Sequence, residues 1–196
     1  MESDLSLQII DNIFKKELNE HKETLKTLES LSERIYCIHN VITEVFNSNK
    51  KLLICGNGGS AADAQHFSSE LTGRYEKERK SLPAISLSTD TSALTSISND
   101  FGFENVFSRQ IEGLGSSGDI LFVISTSGNS RNILNGIRKA KEMNIKTIGL
   151  LGGNGGDVGK EIDYSITIDS FKTCRIQEMH ALIIHILCKL IDKIYN

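Results

Sequence analysis

The chain has 196 residues, of which 39% are hydrophobic and 24% are charged, the usual composition of a single globular domain. Its net charge of −3 and isoelectric point near 6.0 do not favour non-specific nucleic-acid binding, which needs a basic surface. No apolar run approaches the roughly 20 residues of a membrane span. The opening segment MESDLSLQII lacks the basic start of a signal peptide, so we expect a cytoplasmic protein.

The segment before the first strand, residues 3–48, contains neither glycine nor proline and predicts a helical arm. Two apolar stripes run along it at helical spacing. The first comprises Leu5, Ile9, Ile10, Ile13 and Phe14, and the second, a heptad seam, comprises Leu28, Leu31, Ile35, Ile38, Ile42 and Val45. Such an arm lies on the sheet of its own domain or forms a helix bundle between subunits, and we favour the bundle. His21 and His39 are predicted to be surface or packing residues.

An α/β pattern begins at residue 50, so we divide the single domain of residues 1–196 into an arm (1–49) and a core (50–196). Strands are predicted at residues 52–55, 83–87, 120–124, 146–151 and 164–168, and helices are predicted to start near residues 60, 91, 104, 131 and 173. This alternation predicts a doubly wound parallel sheet of the α/β class, which binds ligands at the carboxyl ends of its strands.

The loop after the first strand is typical of an anion site at a helix N-terminus. Gly56, Gly58 and Gly59 permit a sharp turn that brings a ligand close to backbone N–H groups. Ser60 is predicted to cap the next helix, whose positive end attracts an anion. The loop also matches the dinucleotide pattern GxGxxG/A, but the only acidic candidate for the ribose, Asp90, lies about 30 residues further on instead of the expected 20.

A second polar loop follows the third predicted strand directly. It places four hydroxyl groups around Gly128, those of Ser125, Thr126, Ser127 and Ser130. Hydroxyl groups and free N–H groups at a helix N-terminus suit a phosphate monoester, although turn and capping chemistry favours the same residue types. Because two such loops recur at adjacent strand ends, we favour phosphate binding.

His66 and Glu70 are four residues apart and share one face of the helix after the first glycine loop. They are consistent with an acid/base pair, two metal ligands or a solvated helix face. The C-terminal helix adds Gln177, His180 and His185 within an apolar stretch. Gln177 and His185 lie within about 80° of each other around that helix, and His180 falls about 60° to the other side. A second helix therefore offers partners for the first pair.

Five motifs together resemble the phosphoheptose isomerases of the sugar-isomerase (SIS) domain superfamily: GNGGSAADAQHFSSELTGRY, STDTSAL, NDFGFE with VFSRQ, ISTSGNS, and RIQEMH with HIL. The resemblance implies a flavodoxin-like five-stranded parallel sheet and a homotetramer. It also implies conversion of D-sedoheptulose 7-phosphate to D-glycero-D-manno-heptose 7-phosphate, a precursor for lipopolysaccharide or capsule. The alternative is a non-catalytic SIS-domain protein that binds a phosphosugar or a replication-initiator partner, and the presence of Glu70 and His185 favours the enzyme.

The resemblance also implies which residues form the site. Substrate contacts would be Asn57, Gly58, Gly59, Ser60, Glu70, Arg74, Asn99, Asp100 and Gln177, with the phosphate on Ser125, Thr126, Ser127 and Ser130. One zinc ion per subunit would bind His66, Glu70, Gln177 and His185. Aldose–ketose isomerisation passes through an enediol, and we expect Glu70 to transfer the carbon-bound proton and His185 to serve the oxygens. A zinc ion would polarise the carbonyl but weaken Glu70 as a base, so both accounts stay open.

The reach of the substrate limits how these groups are shared. Glu70 follows Ser60 by ten residues, about 15 Å along a helix, which is farther than one short sugar extends. Either the phosphate binds the Ser125 loop, or the acid/base groups come from a neighbouring subunit. We expect active sites at subunit interfaces. Cys174 and Leu151 depart from the residues usual in the family and leave the fine substrate preference open.

Overall fold

The structure, a computed structural model, describes residues 6–195. The helices are α1 (Leu7–Lys26), α2 (Ser32–Asn47), α3 (Gly59–Thr72), α4 (Thr91–Phe101), α5 (Val106–Leu114), α6 (Arg131–Glu142), α7 (Gly156–Glu161) and α8 (Thr173–Ile194). The strands are β1 (Leu52–Gly56), β2 (Ala84–Ser86), β3 (Ile120–Ser125), β4 (Lys146–Gly152) and β5 (Tyr164–Ile168). No helix of the described part is both long enough and apolar enough to cross a membrane.

The strands form one parallel sheet in the order β2-β1-β3-β4-β5, which confirms the predicted fold class. The chain moves from β1 outward to β2 and then returns to the other side of β1 for β3. The carboxyl ends of β1 and β3 therefore flank the point where the strand order reverses. In doubly wound sheets this crevice is the place where ligands bind.

Both faces of the sheet are covered, because the side chains of each strand alternate between two hydrophobic cores. Leu52 and Ile54 belong to the core shared with α2, α3 and α8, whereas Leu53 and Cys55 belong to the core shared with α4 to α7. Phe67 of α3 packs edge-to-face on Phe122 of β3 at a centroid distance of 5.1 Å. Helices α3 and α8 therefore lie on the same face of the sheet, and side chains from both can meet above it.

The arm differs from the prediction in one respect. A 3₁₀ turn at Thr27–Ser30 separates α1 from α2, and threonine hydroxyls in and just before this turn donate to backbone carbonyls of the preceding turn. Of the heptad seam, Ile38, Ile42 and Val45 are buried in the core of their own domain. These residues pack on the sheet, and the bundle between subunits stays a prediction, because the same apolar period serves a helix on a sheet and a helix on another subunit.

The first apolar stripe has the opposite environment. Ile9, Ile10, Ile13 and Phe14 are 47%, 49%, 54% and 61% exposed, and Leu5 lies outside the described residues.

Elsewhere, two local predictions were wrong. The N-cap of α3 is Gly58 and not Ser60, which is buried in the first turn of the helix. Helix α7 was not predicted, because its glycines obscure the helical pattern.

Candidate active site

A small pocket of about 60 Å³ opens between the carboxyl ends of β1 and β3. Its lining, which we call the loop pocket, consists of Asn57, Ser60, Ile124, Ser125, Thr126, Ser127 and Ser130. Six of the residues predicted to contact substrate therefore meet in one place. Gly58 and Gly59 form the turn beside it, where Gly58 has φ +56° and nothing lies within 4 Å of a Cβ placed on it.

The second loop is held by close backbone packing against the glycine cluster after β4. Gly128 has φ +65°, and a Cβ on it would lie 2.0 Å from the carbonyl oxygen of Gly155. The Val158 N–H donates to the Gly128 carbonyl at 2.8 Å, and Asn129 Oδ1 accepts the N–H of Asp157 at 3.0 Å. The shape of the loop pocket therefore requires glycine at position 128.

Asn132, a residue that the sequence analysis missed, ties the two loops together. Its amide and that of Asn57 exchange two hydrogen bonds of 2.9 Å each across 75 residues of sequence. Asn132 lies in the first turn of α6 and is only 3% exposed. Within the second loop, Ser125 Oγ accepts the N–H of Gly128 at 3.1 Å. The loop pocket is thus fixed before any ligand arrives.

A wider cavity of about 370 Å³ adjoins the loop pocket and shares Thr126 and Ser127 with it. The rest of its wall comes from Asn129, Gly152, Gly153, Asn154, Ser170, Phe171, Thr173 and Ile176. Phe171 is 82% exposed and packs beside Gly153. The two cavities together offer a small polar pocket for an anion beside a larger space for the rest of a ligand.

A second group of polar side chains lies where the C-terminal half of α3 faces α8. His66 Nε2 and Glu70 Oε1 are 3.1 Å apart. The ring of His185 packs edge-to-face with His66 at a centroid distance of 5.0 Å and stacks on Tyr75 at 5.6 Å. We call these four residues the acid/base cluster. Its two titratable members on α3 remain accessible, because the side chains of His66 and Glu70 are 41% and 21% exposed.

Tyr75 and Asp63 were not singled out by the sequence analysis. Desolvation of the phenol is the main cause that raises the pKa of Tyr75, and the negative charge of Glu76 is the second. Burial also raises the pKa of Asp63, one turn before His66, although the charge of His66 opposes that shift. Asp63 Oδ2 is buried and lacks a hydrogen-bond partner within the described residues. No spacing rule indicates either residue, because only the packing of α3, α8 and the loop after α3 shows their surroundings.

The loop pocket and the acid/base cluster lie at opposite ends of α3. Because α3 is unbroken over Gly59–Thr72, Ser60 and Glu70 are about 15 Å apart along its axis. Gln177 belongs to the first end, since a Cβ on Gly59 would lie 2.3 Å from its amide nitrogen. His185 follows about 12 Å further along α8.

The predicted zinc ligands therefore do not converge within one chain, because Gln177 is held at the other end of α3. Three of them, His66, Glu70 and His185, do lie together. Within residues 6–195, however, no three or more His, Cys, Asp or Glu side chains are arranged to hold a metal ion. The donor types suit zinc, and zinc binding at these residues stays a prediction.

Two predicted substrate residues lie away from the loop pocket. Asn99 and Asp100 are exposed at the C-terminal end of α4, where the Asn99 amide donates to the Asp100 carboxylate at 2.7 Å. Helix α4 begins after β2 and takes them about 14 Å from the ligand-binding edge of the sheet. A third, Arg74, is exposed directly before Tyr75 of the acid/base cluster and forms no ion pair within the described residues.

Two other residues weighed from the sequence have structural roles. Asp90 caps α4 by accepting the N–H of Ala93 at 2.9 Å, so its carboxylate is engaged at a helix start and not at a ribose site. His180 is fully buried and donates from Nε2 to the Leu151 carbonyl at 3.1 Å. Burial lowers the pKa of His180 to about 4, so it stays neutral and belongs to the core.

Comparison with known proteins gives consistent matches. The SIS domain family model matches residues 18–152. Phosphoheptose isomerase of Helicobacter pylori is 54% identical over 186 residues, which is 94% of this chain and 97% of that protein. Phosphoheptose isomerase 1 of Campylobacter jejuni is 52% identical over 93% of this chain and 98% of that protein. The solved structure of phosphoheptose isomerase from Neisseria gonorrhoeae has a TM-score of 0.89 at 39% identity, covering 94% of this chain and 99% of that chain.

The packing of Gly128 gives a first prediction. Gly128→Ala should weaken binding of inorganic phosphate about tenfold or more, because the new Cβ meets backbone that no side-chain rotation can clear and the positive φ adds strain. Isothermal titration calorimetry measures the change. Gly113→Ala is the matched control, since nothing lies within 4 Å of a Cβ there. Equal phosphate affinity in the two variants would contradict the prediction.

Proposed function

We propose separate roles for the two parts of the site in this chain. The chain belongs to the SIS-domain family and, within it, to the phosphoheptose isomerases. The chain is therefore an aldose–ketose isomerase that acts on sedoheptulose 7-phosphate. These relatives do not favour the alternatives of a non-catalytic phosphosugar-binding protein and a dinucleotide-binding protein. What the relatives leave open is which residues of this chain bind the phosphate and which move the protons.

The phosphate of the substrate binds in the loop pocket. The observation that supports this assignment is the meeting of hydroxyl groups from two loops at the β1–β3 crevice, beside the N-termini of α3 and α6. Helix N-termini and hydroxyl donors both favour a phosphate monoester. The wider cavity that shares Thr126 and Ser127 gives the sugar chain room next to the phosphate.

Glu70 and His185 move the protons. For the ketose to become the aldose, a base removes a proton from C1 and returns it to C2, while O2 gains a proton and O1 loses one. Glu70 takes the carbon-bound proton, and the imidazole of His185 exchanges protons with the two oxygens. His66 bonds Glu70 at 3.1 Å and Tyr75 stacks on His185, so both groups have fixed orientations.

A second copy of the chain completes each site. The loop pocket and the acid/base cluster of one chain are too far apart along α3 to act on the same short sugar, so the cluster that serves a given loop pocket belongs to a neighbour. The exposed apolar stripe Ile9, Ile10, Ile13 and Phe14 on α1 supports such an assembly. We propose a homotetramer, as the resemblance implies.

Zinc binding rests on the donor types alone. When bound, the metal would polarise the substrate carbonyl and stabilise the enediolate. Imidazole and carboxylate groups of His66, Glu70 and His185 are suitable ligands, and Gln177 of the partner subunit would be the fourth, because the Gln177 of the same chain lies beside Gly59. We expect one zinc per subunit in the purified protein by inductively coupled plasma mass spectrometry, and less than about a tenth of that in His66→Ala. Metal-free wild-type protein that was purified without chelator would contradict the proposal.

The heptose phosphate that the reaction releases enters the precursor route to lipopolysaccharide or capsule, as the resemblance implies. Mass spectrometry of both surface glycans from a strain without this protein would distinguish the two, since only the dependent glycan would lose its heptose.

Removal of the proposed base should abolish turnover and spare binding. In Glu70→Gln we expect kcat to fall about 100-fold or more, while KM changes less than about threefold, because the amide keeps the shape but takes no proton. The product is quantified by NMR. Glu142→Gln is the control, since Glu142 is 64% exposed at the end of α6 and pairs only with Lys139 among the described residues. Wild-type kcat in Glu70→Gln would show that the base is assigned to the wrong residue.

Sharing of the site between subunits predicts complementation. Oligomers of Glu70→Gln alone and of Gly128→Ala alone should be inactive or nearly so. After subunit exchange of a one-to-one mixture, about a quarter of the sites combine an intact loop pocket with an intact Glu70, so activity returns. The same mixture before exchange is the control. If activity stays absent after exchange is verified by native mass spectrometry, each site lies within one chain.

A further inference from the structure

A buried ion pair joins the three segments that form the acid/base cluster. Arg79, in the loop after α3, donates from Nε to Asp192 Oδ1 of α8 at 2.8 Å. Their side chains are 0% and 3% exposed. Charged groups are rarely buried so completely unless all their hydrogen-bonding positions are satisfied.

The guanidinium of Arg79 also donates to two carbonyls at the end of α3 and to one carbonyl of the loop that follows. Its Nη2 donates to the Glu70 carbonyl at 2.7 Å, and its Nη1 donates to the Leu71 carbonyl at 2.9 Å and to the Lys80 carbonyl at 3.1 Å. The last carbonyls of a helix have no intrahelical donors, so Arg79 caps α3 at the turn that contains Glu70.

The carboxylate of Asp192 holds the loop that contains Tyr75. Its Oδ2 accepts the backbone N–H groups of Glu76 at 2.9 Å and Lys77 at 3.0 Å, directly after the residue that stacks on His185. Asp192 follows His185 by seven residues on α8, about 20° away around the helix, so both project from one face.

From these contacts we propose that Arg79 and Asp192 are positioning residues for the isomerisation, because their ion pair fixes Glu70, Tyr75 and His185 relative to one another. Neither residue contacts substrate. The proposal rests on the assignment of Glu70 and His185 as the proton-transfer groups. Its chemical basis is that displacement of a reacting group by about 1 Å can cost 100-fold in rate.

A matched control lies in the turn before β3. Asp119 is 1% exposed. Like Asp192, its carboxylate accepts hydrogen bonds from one cationic side chain and from two backbone N–H groups. Its partners are Lys51 Nζ at 2.6 Å, the Lys51 N–H at 3.1 Å and the Ser116 N–H at 2.8 Å. Loss of this carboxylate therefore perturbs the fold in the same chemical manner, but it removes no hydrogen bond to α3, α8 or the loop after α3.

The test compares Asp192→Asn, Asp119→Asn and the paired replacement Arg79→Met/Asp192→Leu with the wild type. All are assayed with sedoheptulose 7-phosphate at a temperature where circular dichroism shows each of them folded. We expect both Asp→Asn variants to lower the melting temperature, but only Asp192→Asn to lower kcat, by roughly 10- to 100-fold with little change in KM. The paired replacement should recover stability, since apolar groups of similar size often substitute for a buried ion pair, while kcat stays low.

Three results would overturn the proposal. They are wild-type kcat in folded Asp192→Asn, an equal loss of kcat in Asp119→Asn, and recovery of kcat together with stability in the paired replacement. Glu70→Gln is assayed in parallel to separate this failure from failure of the proposed function. If Glu70→Gln is inactive and the Asp192 variants are fully active, only the positioning role is lost, whereas an active Glu70→Gln shows that the proton-transfer assignment itself is wrong.

Discussion

The rigid length of α3 is the constraint on which the rest of the site depends. One end of this helix lies at the loop pocket and the other end presents Glu70, with no break between them. A helix of this length has a fixed rise, so the loop pocket and the acid/base cluster of one chain keep a constant separation. The proposed sharing of each site between two copies of the chain follows from that separation and from the short length of the substrate.

Backbone packing and not side-chain chemistry sets the shape of the loop pocket. The loop after β3 touches the loop after β4 so closely that Gly128 has no room for a side chain. The paired amides of Asn57 and Asn132 then fix the distance between the first and second loops. Because these contacts are made within the chain, the two loops that carry the hydroxyl groups already hold their positions when the ligand arrives, which reduces the entropy cost of binding.

The acid/base cluster is organised differently, because a buried ion pair holds the backbone segments around it in place. Arg79 and Asp192 form one ion-pair contact and use their remaining positions on the end of α3 and on the loop beside Tyr75. In a low dielectric such a network is strong when every member is satisfied and costly when one is removed. The cluster therefore has a rigid support although its own side chains stay partly exposed.

Local sequence patterns were enough to predict the five strands, their order of appearance, the two polar loops and the His66–Glu70 spacing, because each depends on periodicity or on residues a few positions apart. Only the packed fold shows that Ile38, Ile42 and Val45 face the sheet, that Gln177 lies beside Gly59, and that Asn132, Tyr75 and Arg79 support the site. These features depend on contacts such as the Arg79–Asp192 bond, whose partners are 113 residues apart. A contact between distant segments leaves no periodic pattern in either segment, so only the packed fold can show it.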